Sequence, residues 1–345
     1  MEGQPVRCAV IGYGHIGRRH AGLIQEHPKC ELVAVCDVLL RESLKDYPQG
    51  VPYFPSMEAL LTSGLALDVV HICTPNGLHA VQSLAALEAR CHVVIEKPMA
   101  LRKADCEKII HRALNVGRQV FCVMQNRYSQ PIAWLKQVVE AGLLGKLHLI
   151  TARCYWNRDE RYYFQNGAPH SWHGQPGLDG GVLFTQFAHF VDILYWIFGD
   201  FYPKGSNLLA NLGHPYLPDA FHDTGVVPVL FENGALGSLT FSTAVWDRNF
   251  ASTLTVIGEY GAIEIGGQYM DRLEYVHGKN INRPDLQMEQ IPANDYGGYQ
   301  GSASNHGYVI QNVVDVLSGR REVDTNALEG MKVVEIIERM YDAAT

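Results

Sequence analysis

The feature that most constrains the fold is a glycine-rich turn between an apolar run and a helical pattern near the amino terminus. Val6–Ile11 is apolar apart from Arg7 and leads directly into Gly12-Tyr-Gly14-His15-Ile16-Gly17, after which a helical pattern continues to Gln25. In such a unit the first glycine permits the tight turn, the second lets a pyrophosphate approach the backbone, and the third lets helix and strand pack closely. The N–H groups and positive dipole end at the helix start favour phosphate. The spacing predicts that Gly12, Gly14, His15, Ile16 and Gly17 bind a dinucleotide, with an ordinary packing turn as the alternative.

A single acidic residue after the next strand indicates which dinucleotide is bound. Glu31–Cys36 is predicted as a second strand, and it ends in Asp37 at the distance from Gly17 that the dinucleotide-binding pattern requires. A carboxylate in this place accepts hydrogen bonds from both ribose hydroxyls of adenosine and repels a 2′-phosphate. The sequence therefore predicts NAD in preference to NADP, although Arg41 lies close by and keeps NADP open as the weaker alternative.

Polar residues follow three further predicted strands as strands and helices continue to alternate up to Met124. This alternation predicts a parallel sheet with right-handed crossovers, and such sheets bind ligands at the carboxyl ends of their strands. Pro98 restricts Lys97 to an extended conformation, so this lysine is held where its strand ends. The three polar exits are interpreted as parts of one site: Thr74-Pro75-Asn76 with His79, Glu96-Lys97-Pro98, and Gln125-Asn126-Arg127.

Length and composition set the broad class of the protein. A chain of 345 residues exceeds what one core usually supports, and we predict an NAD-binding domain over 1–126 and a substrate-binding and oligomerisation domain over 127–345. The net charge of −8 argues against nucleic-acid or membrane partners. The eight cysteines form no Cys-x-x-Cys pair, so neither a disulfide framework nor a metal site is expected. No apolar targeting segment opens the sequence, and a cytoplasmic location is expected.

The predicted second domain contains an aromatic and basic segment, Asn157–Gly177, that lacks clear periodicity. Such a segment inside a compact domain is usually functional, and a surface or subunit-contact loop is the alternative. A metal site built on His170 and His173 is not expected, because no third ligand stands at a supporting spacing. The segment is therefore interpreted as part of the substrate site.

An apolar helix, Val182–Phe198, is predicted after this segment. Its polar residues Thr185, His189 and Asp192 are spaced i, i+4 and i+7, which places them on one face and suggests that this face lines a cavity. A buried core histidine is the alternative. From Thr224 onward, strands joined by turns such as Asn233-Gly234 predict an antiparallel sheet. Its uncovered face is expected to form a homodimer or homotetramer.

Taken together, these motifs resemble the glucose–fructose oxidoreductase and inositol dehydrogenase family, Gfo/Idh/MocA. The resemblance implies an α/β protein with a Rossmann domain and a second α/β domain whose mostly antiparallel sheet is open on one face. It also implies that the loops at Thr74–His79 and Glu96–Pro98 border the nicotinamide end of the cofactor, and that Lys97 contacts the reacting hydroxyl. Thr185 stands where inositol dehydrogenase-like members carry an aspartate, which leaves Lys97 and His189 as the expected catalytic pair.

One branch of the family is resembled more specifically, through Asp179–Asp192, Gln125-Asn126-Arg127 and Ile95–Met99. It comprises the UDP-N-acetylglucosaminuronate 3-dehydrogenases of lipopolysaccharide sugar synthesis. Their substrate brings its own carboxylate and pyrophosphate, which arginines bind in bidentate fashion, although solvated surface charge is the alternative for each arginine. The expected substrate residues are Arg127, Arg153, Arg158, Trp172, Thr185, Gln186 and His189.

The same resemblance implies that 2-oxoglutarate regenerates NAD, with Arg127 as a candidate for its carboxylate. Two alternative functions stay open. An inositol or polyol dehydrogenase of the same family would use the same catalytic pair on a free sugar. A non-catalytic NAD-binding sensor would keep the cofactor site without turnover.

Overall fold

The computed structural model describes residues 4–165, 167–285, 293–295 and 300–344. The chain divides into two compact units, Met1–Met124 with His306–Val334, and Gln125–Asn305 with Glu335–Thr345. The sequence-based boundary placed 306–334 in the second domain, whereas the packing groups this segment with the first unit. The reason is contact over long sequence separations: for example, the Cys122 N–H donates to the Thr325 carbonyl at 3.0 Å.

Strands and helices alternate through the first unit, and strands dominate the second. The strands are β1 (Val6–Ile11), β2 (Cys30–Cys36), β3 (Tyr53–Phe54), β4 (Val69–Ile72), β5 (His92–Ile95), β6 (Val120–Cys122), β7 (Leu147–Tyr155), β8 (Phe164–Gln165), β9 (Ala168–Pro169), β10 (Phe201–Pro203), β11 (Leu208–Ala210), β12 (Thr224–Phe231), β13 (Leu236–Ser242), β14 (Ala251–Gly258), β15 (Gly261–Gly266), β16 (Arg272–Gly278), β17 (Ala293–Asp295) and β18 (Gln300–Ala303). The helices are α1 (His15–Glu26), α2 (Met57–Leu61), α3 (His79–Glu88), α4 (Lys103–Val116), α5 (Gln130–Glu140), α6 (Glu160–Tyr163), α7 (Pro176–Asp179), α8 (Val182–Thr185), α9 (Ala188–Phe198), α10 (His306–Leu317) and α11 (Ala327–Asp342). Short 3₁₀ turns cover Arg41–Ser43, Asn76–Leu78 and Gln125–Tyr128.

The first unit is built on a parallel sheet with the strand order β3-β2-β1-β4-β5-β6. The predicted parallel sheet is therefore confirmed. Its inner strands are apolar and fully buried, as Val93, Val94 and Ile95 of β5 illustrate, because helices cover both faces of such a sheet. The strand order reverses direction between β1 and β4, which is where open α/β sheets bind ligands beyond the strand ends.

The second unit is built on a larger sheet with the order β10-β12-β13-β7-β14-β15-β16, to which β11 adds by pairing with β12. Neighbouring strands are antiparallel except for β13 and β7. Residues of β12 alternate between one buried and one more exposed face, which confirms the mostly antiparallel sheet with an open face. A row of apolar residues crosses this open face: Leu230, Leu236, Leu149 and Ile257 are successive register partners. The expected subunit contact through this face stays a prediction.

The apolar stretch predicted as a single helix over 182–198 is interrupted. It forms α8 and α9, with Gln186 and Phe187 between them. The Thr185 hydroxyl donates to the Gly181 carbonyl at 3.0 Å, a local bond that competes with continued helix. Among the described residues, no single helix is long and apolar enough to cross a membrane. Pro176–Thr185 and Ala188–Phe198 would be long and apolar enough only if taken together, and they are bent by 49° relative to each other.

Candidate active site

The glycine-rich turn in the first unit has a shape that only glycine permits at two positions. Gly12 has φ +84°, and a Cβ there would lie 2.8 Å from the Cys73 carbonyl oxygen. A Cβ on Gly17 would lie 1.8 Å from the Gly12 carbonyl oxygen. Gly14, by contrast, is exposed directly before α1, and a Cβ there would meet no atom within 4 Å. The turn therefore offers a cradle at a helix start that fits the pyrophosphate of a dinucleotide.

The Asp37 carboxylate is fixed beside this turn. Its Oδ2 accepts from the Tyr13 N–H at 2.6 Å and its Oδ1 from the Leu39 N–H at 2.8 Å. The Tyr53 hydroxyl donates to the Asp37 carbonyl at 3.1 Å, which holds the backbone at the same point. A half-buried carboxylate that is already oriented suits the ribose hydroxyls of NAD.

Two polar exits of the parallel sheet are tied together by His79. The fully buried imidazole lies with Nδ1 2.7 Å from the Pro98 carbonyl oxygen and Nε2 2.8 Å from the Thr74 carbonyl oxygen. Burial lowers the pKa of His79, and the two carbonyls oppose that effect only in part. The structure thus brings Thr74–Asn76 and Glu96–Pro98 together at the carboxyl edge of β4 and β5, with Pro75 half-buried and Asn76 buried.

Lys97 and Glu96 face different surroundings at this edge. Lys97 is half-buried, and its N–H donates to Glu96 Oε2 at 3.2 Å. The Glu96 carboxylate is buried, and its Oε1 lies 3.0 Å from His20 Nε2 and 3.3 Å from His306 Nε2. Glu96 therefore has partners inside the first unit that the sequence analysis did not anticipate, and its expected contact with the cofactor stays a prediction.

In the second unit, the expected substrate residues Thr185, Gln186 and Trp172 belong to one contact network. Tyr162 and His173, which the sequence analysis did not name among the expected substrate residues, link them. Thr185 Oγ1 is in contact with Gln186 Oε1, and Gln186 Nε2 donates to the Tyr162 hydroxyl at 3.2 Å. The Tyr162 ring stacks on His173 at 4.0 Å, and Trp172 packs edge-on against His173 at 4.0 Å. The density of aromatic residues in 157–177 was the available signal for Tyr162 and His173. His189 lies buried in the first turn of α9, three residues after Gln186.

Arg158 is the expected substrate arginine that lies against this aromatic group. Its side chain is buried, with the guanidinium carbon 4.9 Å from the Trp156 ring centroid and 5.4 Å from that of Tyr162. His214 holds the Arg158 backbone, because its Nε2 lies 2.6 Å from the Arg158 carbonyl oxygen. Its Nδ1 lies 2.7 Å from Asp223 Oδ2. Burial raises the pKa of Asp223, but hydrogen bonds from His214 and from backbone N–H groups outweigh it and lower that pKa to about 2.

Arg127 and Arg153 each have partners within the protein, and their expected contact with substrate stays a prediction. Arg127 forms a buried ion pair with Asp192, with N···O distances of 2.6 to 3.1 Å. Arg153 donates to Thr253 Oγ1 at 2.8 Å on the open face of the sheet, because its neighbours along β7 face the core. The structure therefore gives Arg127 a protein carboxylate as partner and does not bring Arg153 to the Thr185–Trp172 group.

Comparison with known proteins identifies relatives over nearly the whole chain. Residues 6–123 match the model of the Gfo/Idh/MocA oxidoreductase family, NAD-binding Rossmann fold, and residues 132–264 match the Gfo/Idh/MocA C-terminal domain. The WlbA dehydrogenase from Bordetella pertussis, solved with NADH and UDP-GlcNAcA, is 28% identical and has a TM-score of 0.87, with 99% of this chain and 96% of that chain covered. The WlbA dehydrogenase from Chromobacterium violaceum, with the same two ligands, is 28% identical with a TM-score of 0.85, covering 100% and 95%. Myo-inositol 2-dehydrogenase from Thermotoga maritima is 28% identical over 75% of this chain and 74% of its own.

Proposed function

This chain belongs to the Gfo/Idh/MocA family of NAD-binding oxidoreductases, and we propose that it oxidises C3 of a UDP-linked N-acetylhexosaminuronate. The observation that carries the substrate class is the similarity, end to end, to two dehydrogenases solved with NADH and UDP-GlcNAcA. Thr185 agrees with this proposal, since an uncharged residue at that position does not repel an anionic sugar. We place the activity in cytoplasmic synthesis of a lipopolysaccharide sugar, on the resemblance described above.

The residues of the first unit hold and orient the cofactor in this proposal. Gly12, Gly14 and Gly17 with the start of α1 hold the pyrophosphate, and Asp37 holds the adenosine ribose. NAD⁺ held there would supply the acceptor for the hydride that leaves the alcohol carbon of the substrate. The protein contributes orientation and charge around that event.

Two side chains act on the alcohol itself. The Lys97 ammonium donates a hydrogen bond to the substrate oxygen and stabilises negative charge as it develops there. An imidazole nitrogen of His189 removes the hydroxyl proton as general base. Arg158, buried beside the aromatic group, is proposed to meet the substrate anions.

A substrate screen tests the proposal. NADH formation is followed at the nicotinamide absorbance band with UDP-GlcNAcA, UDP-GlcNAc, free GlcNAcA and myo-inositol, each with NAD⁺ and with NADP⁺. We expect turnover with UDP-GlcNAcA and NAD⁺, and a loss of roughly two or more orders of magnitude in Lys97→Ala and in His189→Asn, with NAD⁺ binding retained. Lys103→Ala is the matched control, because this lysine starts α4 and its ammonium lies 3.9 Å from Glu107. Near-normal turnover in both site variants would contradict the catalytic roles.

The similarity to myo-inositol 2-dehydrogenase supports a second candidate, the oxidation of a free cyclitol or sugar. Equal or faster turnover of myo-inositol than of UDP-GlcNAcA would favour it. Bound NAD without turnover of any substrate would favour a sensor instead.

We propose 2-oxoglutarate as a second substrate whose reduction returns NADH to NAD⁺. Release of 2-hydroxyglutarate during turnover would support this proposal. A second copy of the chain on the open face of the sheet remains the proposed partner.

A further inference from the structure

Four buried polar side chains from separate elements of the first unit meet next to Lys97. His20 of α1, His71 of β4, Glu96 after β5 and His306 of α10 are 1%, 1%, 6% and 1% exposed. Glu96 Oε1 lies 3.0 Å from His20 Nε2 and 3.3 Å from His306 Nε2, and His20 Nδ1 lies 3.0 Å from His71 Nδ1. We call these four residues the imidazole–carboxylate cluster. Buried polar groups of this kind are costly unless they are paired.

The contacts within the imidazole–carboxylate cluster bear on the charge of Glu96. His20 Nε2 donates to Glu96 Oε1, since a carboxylate oxygen only accepts, and His306 Nε2 lies within ion-pair distance of the same oxygen. Hydrogen bonds from His20 and His306 outweigh burial and keep the pKa of Glu96 well below its usual range, while burial lowers the pKa of His71 and of His306. The Nδ1 atoms of His20 and His71 face each other at 3.0 Å, a distance at which one ring donates to the other. The carboxylate is therefore an anion whose first oxygen is fully engaged by imidazoles.

The second oxygen of this carboxylate reaches the catalytic segment. Glu96 Oε2 accepts the N–H of Lys97 at 3.2 Å, and His79 lies 2.7 Å from the Pro98 carbonyl on the other side. Cys73, just after β4, and His79 also interact with the Glu96 charge, and Arg19 of α1 acts on His306. Residues 96–98 are thus held from both sides by buried imidazole and carboxylate groups.

We propose that Glu96 is a positioning residue: its carboxylate, oriented by His20 and His306, fixes the backbone at Lys97 and so the place from which the lysine side chain extends. The inference rests on the proposed function in that Lys97 meets the substrate oxygen. It differs from a cofactor-binding role for Glu96, because both carboxylate oxygens have partners within the protein. Ligand atoms of His20, Glu96 and His306 lie within 4.8 Å of one another, as a metal site would require. The 3.0 Å contact between His20 Nε2 and Glu96 Oε1 is a hydrogen bond, so no metal is needed to explain it.

The test is Glu96→Gln, which keeps the size of the side chain but gives it an amide nitrogen. If the amide oxygen stays with the imidazoles, the nitrogen cannot accept the Lys97 N–H. We expect kcat with UDP-GlcNAcA to fall by roughly 100-fold, the cost of a small misplacement of a catalytic group, while the Kd for NAD⁺ changes by less than about twofold. A fall in kcat/KM matched by an equal rise in the Kd for NAD⁺ would overturn the inference in favour of direct cofactor contact.

A second readout does not depend on the substrate. The rate at which acetic anhydride modifies the Lys97 amine is measured by mass spectrometry, with Lys103 as the internal reference. Loss of the bond to the Lys97 N–H frees the backbone at this residue and changes the access of reagent to its amine, so the labelling of Lys97 relative to Lys103 should differ several-fold between Glu96→Gln and the wild type. If the wild type shows no turnover but this change in labelling occurs, the proposed function fails and the positioning role stands. Unchanged labelling and unchanged turnover would overturn the positioning role.

A pair of variants at His306 repeats the test with the carboxylate intact. His306→Gln keeps an N–H donor toward Glu96 Oε1, and we expect it to retain most of the wild-type turnover. His306→Leu removes the donor and should lose turnover and change Lys97 labelling, because the carboxylate is then less firmly oriented. Equal behaviour of the two His306 variants, or one equivalent of zinc retained by the purified wild type, would overturn the inference.

Discussion

The ion pair between Arg127 and Asp192 gives the sharpest stability prediction. The two side chains are 4% and 1% exposed, and the guanidinium meets both carboxylate oxygens at 2.6 to 3.1 Å. Asp192→Ala would leave the guanidinium buried without its counter-charge, which costs about 3–5 kcal/mol in comparable cases. For a cooperative unit of this size that corresponds to a drop in Tm of roughly 6–20 °C. Circular dichroism during thermal and urea unfolding measures both quantities.

Two further variants make this prediction refutable. Arg127→Met combined with Asp192→Leu replaces the pair by apolar groups, and most of the lost stability should return because no charge is left buried. Lys108→Ala is the control, since its pair with Asp105 at 2.8 Å is on the surface and should change stability by less than about 1 kcal/mol. A loss below about 1 kcal/mol in Asp192→Ala, or a double variant as unstable as the single one, would refute the reasoning.

Three other predictions concern the cofactor turn and the support of Arg158. Gly14→Ala should fold with an unchanged Tm but bind NAD⁺ roughly tenfold more weakly by calorimetry, because its Cβ enters open space at the pyrophosphate cradle. Gly17→Ala should instead lower the Tm, because its Cβ clashes with the Gly12 carbonyl. Asp37→Ser should lower the ratio of kcat/KM with NAD⁺ to kcat/KM with NADP⁺. A ratio equal to that of the wild type would contradict the proposed contact of Asp37 with the adenosine ribose. The folded pKa of Asp223, about 2, lies below the ordinary value of 3.8, so its contribution of about 2 kcal/mol is complete above pH 4 to 5 and is lost as pH falls toward 2. Urea unfolding should therefore show Asp223→Asn less stable than the wild type at pH 7 and the difference shrinking below pH 4; a constant difference would argue against the shifted pKa.

Much of the first unit could be predicted because its signals are local. The apolar run His92–Ile95 has the bounds of β5, and the glycine pattern predicted the turn before α1. The start of the last helix is equally local: Asn326 Oδ1 accepts from the Glu329 N–H at 3.1 Å, and Glu329 Oε2 accepts from the Asn326 N–H at 3.1 Å. Each of these features depends on residues within one turn or one strand of each other.

The features that the sequence analysis missed depend on contacts between distant residues. Arg127 and Asp192 are both plausible site residues from local pattern, and nothing local indicates that they neutralise each other. His306 begins a helix that local pattern assigned to the second domain, yet it contacts Glu96 of the first. The two-residue strand β3 is too short to give a periodic signal, and the break between α8 and α9 falls inside an apolar run that reads as one continuous helix.

The most direct test of the proposed chemistry follows the hydrogen atom itself. UDP-GlcNAcA carrying deuterium at C3 is incubated with the protein and NAD⁺, and the recovered NADH and sugar are analysed by mass spectrometry. The proposed function predicts one deuterium in the nicotinamide ring of NADH and a sugar product that has lost both this deuterium and the hydroxyl proton. Deuterium retained at C3 after NADH has formed, or no NADH with this substrate, would contradict oxidation at C3.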